Sequence, residues 1–204
     1  MWTAAILGGG QARRLGGRDK SALIVGGHRI IDRQLAVLGE LDVPVVLIGP
    51  DTDRPGVDGL PVMADRMPAH GALGGLYTAL VAAPFEHVVV LACDMPFVTA
   101  SFLAHLAAVP DDVDVVVPCT ERGRHPLCAR YHRRVAARLK PRLDAGRLRV
   151  FDALDELTVR ELGPRELRPF DPDGTLLMNV NTPDDYHRAC ALADGAANTH
   201  RPLA

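Results

Sequence analysis

A glycine-rich, basic segment near the N-terminus has the residue types and spacing of a loop that binds phosphate. Apolar residues 2–7 lead into residues 8–20, which hold five glycines and four basic side chains. Because glycine lacks a Cβ and readily adopts positive φ, successive backbone N–H groups in such a loop can converge on an anion. The basic side chains would neutralise the bound charge. A plain strand-to-helix connection with surface cations is the alternative interpretation.

The two commonest phosphate-binding motifs do not fit this segment. A P-loop needs Gly-Lys followed by Ser or Thr, but Lys20 is preceded by Asp19 and the chain has no Gly-Lys pair. The dinucleotide-binding fingerprint needs a third glycine where Arg13 stands, and a bulky side chain there would obstruct helix–strand packing. A different class of nucleotide site is therefore indicated.

One carboxylate is well placed to bind a metal. Asp94 follows the apolar residues 88–91, so it stands at the end of a predicted central strand. Open α/β sheets bind ligands at the carboxyl ends of their strands, and Pro96 would end the strand and hold Asp94 in a fixed turn. Asp94 is thus the best candidate metal ligand in the chain. The alternative is a strand-end aspartate that caps the next helix.

Strands and helices alternate along the chain. Short β-branched runs predict buried strands at residues 43–48, 88–91 and 113–117. Apolar residues recur at helical spacing between them, at residues 31–38 and 73–80. Thr99 is a predicted N-cap. This order favours one α/β domain, residues 1–193, with a mostly parallel sheet and helices on both faces. Residues 194–204 are expected to form a flexible tail.

Three further segments are less regular. Residues 51–59 are turn-rich and predict an exposed loop, and residues 119–125 predict a second, mobile loop. Residues 131–145 predict a basic amphipathic helix that Pro141 must kink or break. The cations of this helix are interpreted as a solvated face, with contacts to anions as the alternative.

The composition excludes several classes of protein. The 204 residues are 48% hydrophobic with a net charge of −2, which suits a globular domain and gives no support to nonspecific nucleic-acid binding. We predict neither a transmembrane helix nor a signal peptide. The four cysteines form no Cys-x-x-Cys pair, so zinc and thioredoxin-like chemistry are unsupported and reduced thiols in the cytoplasm are expected.

Four segments occur in an order typical of one enzyme family. They read LGGGQARRLGGRDK at residues 7–20, DRMPAHGALGGL at 65–76, CDMP at 93–96 and MNVNTPDD at 178–185. Together they resemble the signature of the sugar-nucleotide-type nucleotidyltransferases and, more narrowly, of the molybdenum cofactor guanylyltransferases. Three residues depart from that pattern, since Gly8 replaces an alanine, Leu15 a methionine and Ala72 a proline.

The resemblance implies a fold and a reaction. The fold would be three-layered and Rossmann-like, of the nucleotide-diphospho-sugar transferase type. The reaction would transfer GMP from GTP to molybdopterin and release pyrophosphate, with Mg²⁺ as cofactor. Neither nucleic acid nor membrane is expected to take part, and any contacts with other proteins of molybdenum cofactor biosynthesis or with acceptor proteins are expected to be transient.

The resemblance also implies roles for individual residues. The backbone of the first loop would hold the nucleoside side of GTP, through Leu7, Gly8, Gly9 and Gly10. Lys20 and Arg14 would neutralise the triphosphate, and Asp94 would bind Mg²⁺. Asp65 and Gly75 would complete the GTP site, although Asp65 is also a candidate for an Asx turn. Asn179 and Asn181 are candidates for binding the acceptor, and no role is assigned to His70 or His125.

Other functions stay open at this level. Cytidylyl transfer to molybdopterin is the first alternative, although glycine at both Gly9 and Gly10, where such relatives usually carry Ala-Gly, favours guanine. Another small phosphorylated acceptor is the second. A noncatalytic binding protein would be expected to have lost Asp94 or Lys20, and neither is lost. An NAD-type oxidoreductase is disfavoured by the broken glycine fingerprint.

Overall fold

The computed structural model describes residues 1–8, 11–12, 18–49, 60, 62–110 and 112–199, with backbone alone at 11–12, 18–19 and 196–199. The strands are β1 Thr3–Leu7, β2 Gln11–Ala12, β3 Arg18–Asp19, β4 Ile24–Val25, β5 His28–Arg29, β6 Val45–Gly49, β7 Val62–Ala64, β8 His87–Ala92, β9 Val115–Thr120, β10 Gly123–Arg124, β11 Cys128–His132 and β12 Val159–Leu162. The α-helices are α1 Ile30–Gly39, α2 Gly71–Ala82, α3 Ala100–Ala108, α4 Ala136–Asp144, α5 Val150–Leu154, α6 Pro164–Leu167 and α7 Pro183–Thr199.

The main sheet is mixed but mostly parallel. Its strand order is β10-β9-β11-β8-β1-β6-β7, and β12 lies parallel beside β9. β7, β6, β1 and β8 are parallel neighbours, so that Ile6 lies between Leu47 and Leu91. β11 runs antiparallel to both β8 and β9. The carboxyl ends of the four parallel strands therefore share one edge of the sheet with the chain that enters β11.

Alternate residues of the strands face two separate cores, as the period of a strand dictates. Ala4 and Ile6 of β1 belong to a core that α1 and α3 cover. Ala5 and Leu7 belong to the opposite core, which α2, α4 and α5 cover. Helices thus lie on both faces of the sheet, and the predicted three-layer α/β fold is confirmed.

A smaller apolar cluster attaches the C-terminal segment to the N-terminal half. Three of its residues are fully buried: Val25 of β4, Val180 before α7, and Ala189 within α7. Gly26, in the turn after β4, has φ +58°, and a Cβ there would lie 2.8 Å from the Ala193 Cβ. Glycine is required at this turn because both its φ and its proximity to α7 exclude a side chain.

Several predicted boundaries are corrected by the structure. The helix expected at 131–145 begins as a 3₁₀ turn at Arg133–Val135 and continues as α4, because residues 128–132 pair with β8 as strand β11. Pro141 lies inside α4. Most cations of this region are exposed, as predicted, although Arg134 and Arg138 also bind Asp114. Arg142 is the exception, since it is buried and binds Glu156. Burial would raise the pKa of Asp114, but the hydrogen bonds it accepts outweigh burial and lower it.

The loop expected at 119–125 is a tight hairpin in which Gly123 pairs with Thr120 at φ +104°. The boundary expected at residue 194 falls inside α7, where alanines favour helix; residues 200–204 lie outside the described residues, as do 51–59. Thr99 does cap α3, accepting a hydrogen bond from the Phe102 N–H at 3.4 Å. All four cysteines have free thiols. Within the described part of the chain, each helix is too short or too polar to cross a membrane.

Candidate active site

A cavity of about 730 Å³ opens along the edge of the sheet where the parallel strands end. Most of the predicted site residues that the structure describes line it: Leu7, Lys20, Asp65, Gly75, Asp94, Asn179 and Asn181. Gly8 is buried beside it and donates its N–H to the Ile48 carbonyl at 2.7 Å, which holds the end of β1 against β6. The predictions for Gly9, Gly10 and Arg14 fall outside the described residues.

Asp94 lies at the centre of a polar cluster in this cavity. The Lys20 ammonium donates to Asp94 Oδ2 at 3.0 Å, and Asn179 Nδ2 donates to Asp94 Oδ1 at 2.9 Å. Lys20 Nζ also donates to Asn181 Oδ1. The Lys20 and Asp94 side chains are only 15% and 11% exposed, so the pairing compensates much of the desolvation of each charge. Asp94 does not cap the next helix, since Thr99 does so.

Backbone contacts attach the Asp94 turn to its neighbours. The Cys93 N–H donates to the Leu7 carbonyl at 3.2 Å, and the Val180 N–H donates to the Asp94 carbonyl at 2.9 Å. The first contact joins the turn to the end of β1. The second fixes Val180 against the turn, so that its chain neighbours Asn179 and Asn181 both lie close to Asp94. The cluster therefore forms where three distant parts of the chain meet.

The start of α7 orients Asn181. Thr182 and Asp185 form a reciprocal capping box, in which the Asp185 N–H donates to Thr182 Oγ1 at 3.1 Å and the Thr182 N–H donates to Asp185 Oδ2 at 2.9 Å. Asp185 Oδ2 also accepts the Asn181 N–H at 3.1 Å. Burial would raise the pKa of Asp185, but the hydrogen bonds from Thr182 and the backbone outweigh it, and its pKa lies below the ordinary value.

Asp65 lies at the other end of the cavity, after β7. Its Oδ1 accepts the Met67 N–H at 2.9 Å, which is an Asx turn, and also the Thr78 hydroxyl at 2.9 Å. Its Oδ2 faces Gly75, where an added Cβ would lie 4.0 Å from that oxygen and 3.6 Å from Leu7 Cδ2. Within the described part of the chain, Oδ1 holds the hydrogen bonds of the turn and Oδ2 has no partner, so the second oxygen is available to a ligand.

Gly74 permits the close approach that shapes this end of the cavity. A Cβ at Gly74 would lie 2.4 Å from the Met67 carbonyl oxygen, so the loop after Asp65 could not pack on α2 if residue 74 had a side chain. Gly71, at the start of α2, has φ +57° and ψ −144°, a conformation that is accessible almost only to glycine. The glycines of residues 71–75 therefore serve backbone geometry as well as space for a ligand.

A basic wall that the sequence patterns do not predict lies on the β9–β11 side of the cavity. Arg122, Arg124 and Phe151 line this side. Arg124 binds Glu161 at 2.7 Å and Asp155 at 3.3 Å, whereas Arg122 forms no ion pair with the residues that the structure describes. Two arginines so close to His125 and Pro126 could have indicated a binding surface. The prediction of a mobile loop at residues 119–125 led away from that interpretation.

His125 lies in this wall. Its Nε2 lies 2.9 Å from Thr120 Oγ1. Burial lowers the pKa of His125, and the nearby positive charge of Arg122 lowers it further. The imidazole is therefore neutral near pH 7 and acts as a hydrogen-bonding group. His70, in the 3₁₀ turn Pro68–His70, lies beside Gly74.

A divalent cation here would depend on Asp94. Among the described residues, no three His, Cys, Asp or Glu side chains are grouped as a metal site. Mg²⁺ commonly binds one or two carboxylates together with substrate phosphates and waters. A single buried carboxylate with two amide side chains beside it fits that mode, in which the phosphates of a nucleotide supply further oxygens.

A cavity at the carboxyl ends of the parallel strands, with a lysine and an aspartate at its centre, suits an enzyme that acts on a phosphorylated nucleotide. The MobA-like NTP transferase domain matches residues 4–158, and the chain belongs to that family.

Individual relatives agree with this classification. A molybdenum cofactor guanylyltransferase from Desulfosudis oleivorans is 32% identical over 92% of this chain and 93% of its own. The crystal structure of molybdopterin-guanine dinucleotide biosynthesis protein A from Archaeoglobus fulgidus has a TM-score of 0.83 at 27% identity, covering 95% of this chain and 99% of its own. A Mycobacterium tuberculosis protein in complex with manganese shares the fold, with a TM-score of 0.68 at 22% identity over 93% of this chain and 97% of its own.

Proposed function

We propose that this protein transfers GMP from GTP to molybdopterin, forming molybdopterin guanine dinucleotide and pyrophosphate. The observation that carries the proposal is the Lys20–Asp94–Asn179–Asn181 cluster at the centre of the cavity. The names of the relatives supply the nucleotide and the acceptor. We further propose that the reaction takes place in the cytoplasm, where the four free thiols would persist.

The chemistry requires alignment and charge compensation more than a base. A phosphate oxygen of the acceptor attacks the α-phosphorus of GTP, and the bond to the bridging oxygen of pyrophosphate breaks. The attacking phosphate is already largely ionised near neutral pH, so no strong protein base is needed. Lys20, at the centre of the cavity, would move from Asp94 to the phosphates and stabilise the charge that develops on the leaving group. Arg14, Gly9 and Gly10 are proposed to assist from the first loop.

We propose that the cation is Mg²⁺ and that Asp94 is its protein carboxylate. When bound, the ion would neutralise phosphate charge and align the reacting groups. Lys20 now compensates the charge of Asp94 Oδ2, so its departure toward the triphosphate would free that oxygen. The manganese complex of the M. tuberculosis protein supports a divalent ion on this fold.

The nucleoside would occupy the end of the cavity beside Asp65. Asp65 Oδ2 is proposed to accept hydrogen bonds from guanine N–H groups or a ribose hydroxyl, since Oδ1 is already bonded. Leu7 and Gly75 would contact the nucleoside, where a side chain at residue 75 would intrude.

The acceptor would lie on the opposite side of Asp94. Asn179 donates to Asp94 and Asn181 accepts from Lys20, so that, as far as the described residues go, Asn179 Oδ1 and Asn181 Nδ2 are left for a polar acceptor. The basic side chain of Arg122 and the exposed ring of Phe151, 56% accessible, suit an anionic, planar molecule.

Parallel reactions with each of the four NTPs test this function. The purified protein is incubated with Mg²⁺ and molybdopterin, and pyrophosphate release and the dinucleotide product are measured. We expect GTP to be consumed at least about tenfold faster than CTP, which corresponds to about 1.4 kcal/mol in the transition state. Preferential turnover of CTP would overturn the guanine assignment. GTP turnover that requires a different phosphorylated acceptor would overturn molybdopterin.

A further inference from the structure

A glutamine in the core lies directly beneath the Asp94 turn. Gln34, in α1, is 0% exposed. Its Nε2 donates to the Ala92 carbonyl at 2.8 Å and to the Met95 carbonyl at 3.1 Å. Ala92 is the last residue of β8 and Met95 follows Asp94, so a single amide group joins the two sides of the turn that carries the carboxylate.

A buried glutamine at this position lowers the stability of the fold. Its Oε1 is buried and has no hydrogen-bond partner among the residues that the structure describes. An unpaired buried carbonyl is destabilising, and an apolar side chain of similar size would avoid that cost. Packing alone therefore does not account for an amide at this position, whereas the two carbonyls of the Asp94 turn do require donors.

The preceding residue of α1 extends the same contact. Arg33 Nε donates to the Pro96 carbonyl at 3.0 Å, and its guanidinium lies 5.7 Å from the centre of the Phe97 ring. Consecutive side chains of one helix thus bind three carbonyls within residues 92–96. On the opposite side, the turn is held by the Val180 N–H. Asp94 lies between these two supports, and its own side chain points to Lys20 and Asn179.

We propose that Gln34 is a positioning residue, which sets the orientation of Asp94 toward the cation and the triphosphate by holding the Ala92 and Met95 carbonyls. The proposal rests on the role of Asp94 in the proposed function. A misplaced ligand of about 1 Å is enough to lose roughly 100-fold in rate, and loss of a residue that orients a metal ligand typically costs about 10- to 100-fold in metal affinity or activity.

Gln34→Met tests the proposal because methionine keeps the length and approximate volume but has no donor. Leu38→Val is the matched control: Leu38 lies one turn further along α1, is 1% exposed, and touches the core without contacting the turn by hydrogen bonds. Both variants are expected to lower the melting temperature slightly. Gln34→Met alone should raise the Mg²⁺ concentration for half-maximal turnover about tenfold or more, with KM for GTP at saturating Mg²⁺ changed less than about threefold.

Two readouts need no turnover. Hydrogen–deuterium exchange of the peptide that spans residues 92–98 should accelerate in Gln34→Met and not in Leu38→Val. Binding of Mn²⁺ in the presence of GTP, followed by electron paramagnetic resonance, should weaken in the same variant. Should Gln34→Met not fold, Gln34→Asn replaces it: the amide is kept but is one methylene too short to hold both carbonyls, and changes in the same direction are expected.

The outcomes separate the two proposals. Unchanged Mn²⁺ affinity in a folded Gln34 variant would overturn the inference, whether or not exchange of residues 92–98 accelerates, because a residue that only stabilises the turn would change exchange alone. A wild-type protein that performs no Mg²⁺-dependent guanylyl transfer would instead refute the proposed function. The exchange experiment would still report whether Gln34 holds the turn.

Discussion

Two aspartates stand at strand ends in the same cavity, yet they are held in opposite ways. Asp65 accepts hydrogen bonds from Met67 and Thr78, which are 2 and 13 residues away in the chain. Asp94 is bound by Lys20 and Asn179, which are 74 and 85 residues away. The Asp65 carboxylate is thus oriented by its own turn and helix, whereas the Asp94 carboxylate is oriented only when the whole domain has assembled.

The two arrangements suit different tasks. A locally held carboxylate offers a rigid hydrogen-bond acceptor, which is what selection of a base or a ribose requires. A carboxylate held by a lysine and an amide has partners that a triphosphate and a cation can replace. We therefore expect substitutions at the Asp94 end to reduce kcat and those at the Asp65 end to raise KM for GTP.

Asp94→Asn should give the largest effect. The amide keeps the shape but removes the charge proposed to bind Mg²⁺, so we expect kcat/KM to fall by about 10³-fold or more, roughly 4 kcal/mol. Steady-state pyrophosphate release measures this loss, and circular dichroism checks the fold. Asp65→Asn is the control, and it should retain kcat within about threefold. Equal losses of kcat in the two variants would remove the distinction between the two aspartates.

Lys20→Ala should follow. The substitution removes the cation proposed to stabilise the leaving group, and we expect kcat/KM to fall about 10- to 100-fold, or roughly 1.4 to 2.7 kcal/mol. The fall should lie mainly in kcat, because the interaction strengthens as the bond breaks. A change confined to KM would mean that Lys20 binds GTP equally well in the ground state and the transition state.

Thr78→Val tests the local support of Asp65. Valine has a similar shape but cannot donate the hydrogen bond to Asp65 Oδ1, so Asp65 should lose some of its fixed orientation. We expect KM for GTP to rise about fivefold, equivalent to roughly 1 kcal/mol, with kcat unchanged. Titration of GTP against initial rate separates the two parameters. A fall in kcat without a change in KM would contradict the role assigned to this end of the cavity.

Asp185→Asn should have the smallest effect, on stability and its pH dependence. The pKa of Asp185 lies below its ordinary value in the folded protein. The contribution of Asp185 to the free energy of unfolding is therefore complete above its pKa in the unfolded chain, about 3.9. This contribution is lost as the pH falls through the lower pKa of the folded protein. At pH 7 the variant should be less stable by about 1 kcal/mol.

Urea unfolding at pH 7 and near pH 3 measures this difference, which should shrink at the lower pH. Asp184→Asn is the matched control, since it removes a charge from the same first turn of α7 but leaves the capping box intact. A difference that grows as the pH falls would contradict the assignment.

The comparison of the two aspartates also explains what the sequence could predict. Strands β6, β8 and β9, the helix at residues 73–80, the cap at Thr99 and the Asx turn at Asp65 depend on neighbours in the chain. Pattern and residue type suffice to predict them. The partners of Asp94 and the role of Gln34 depend on which segments the topology brings together. The basic amphipathic pattern of residues 131–145 predicts a helix that includes Tyr131, whereas pairing between β11 and β8 places this residue in a strand.

The basic wall was missed for a related reason. Residues 119–125 are polar and contain a glycine, which is typical both of a mobile loop and of a hairpin. Only the antiparallel entry of β11 returns Arg122 and His125 to the edge at which the parallel strands end. The end of α7 is also not determined by local sequence, since the alanines after Asp194 favour helix but do not indicate where the helix ends.

The contact between Lys20 and Asn181 also bears on the shortest chain that could carry out the proposed reaction. The family domain matches residues 4–158, but half of the cluster around Asp94 comes from residues 179–181. A chain cut at the domain boundary would lose β12 from the main sheet, and its lysine and aspartate would lose both amides and the Val180 N–H. On the proposed function, the minimal catalytic unit extends at least to the cap of α7, because its polar cluster joins residues that lie 161 positions apart.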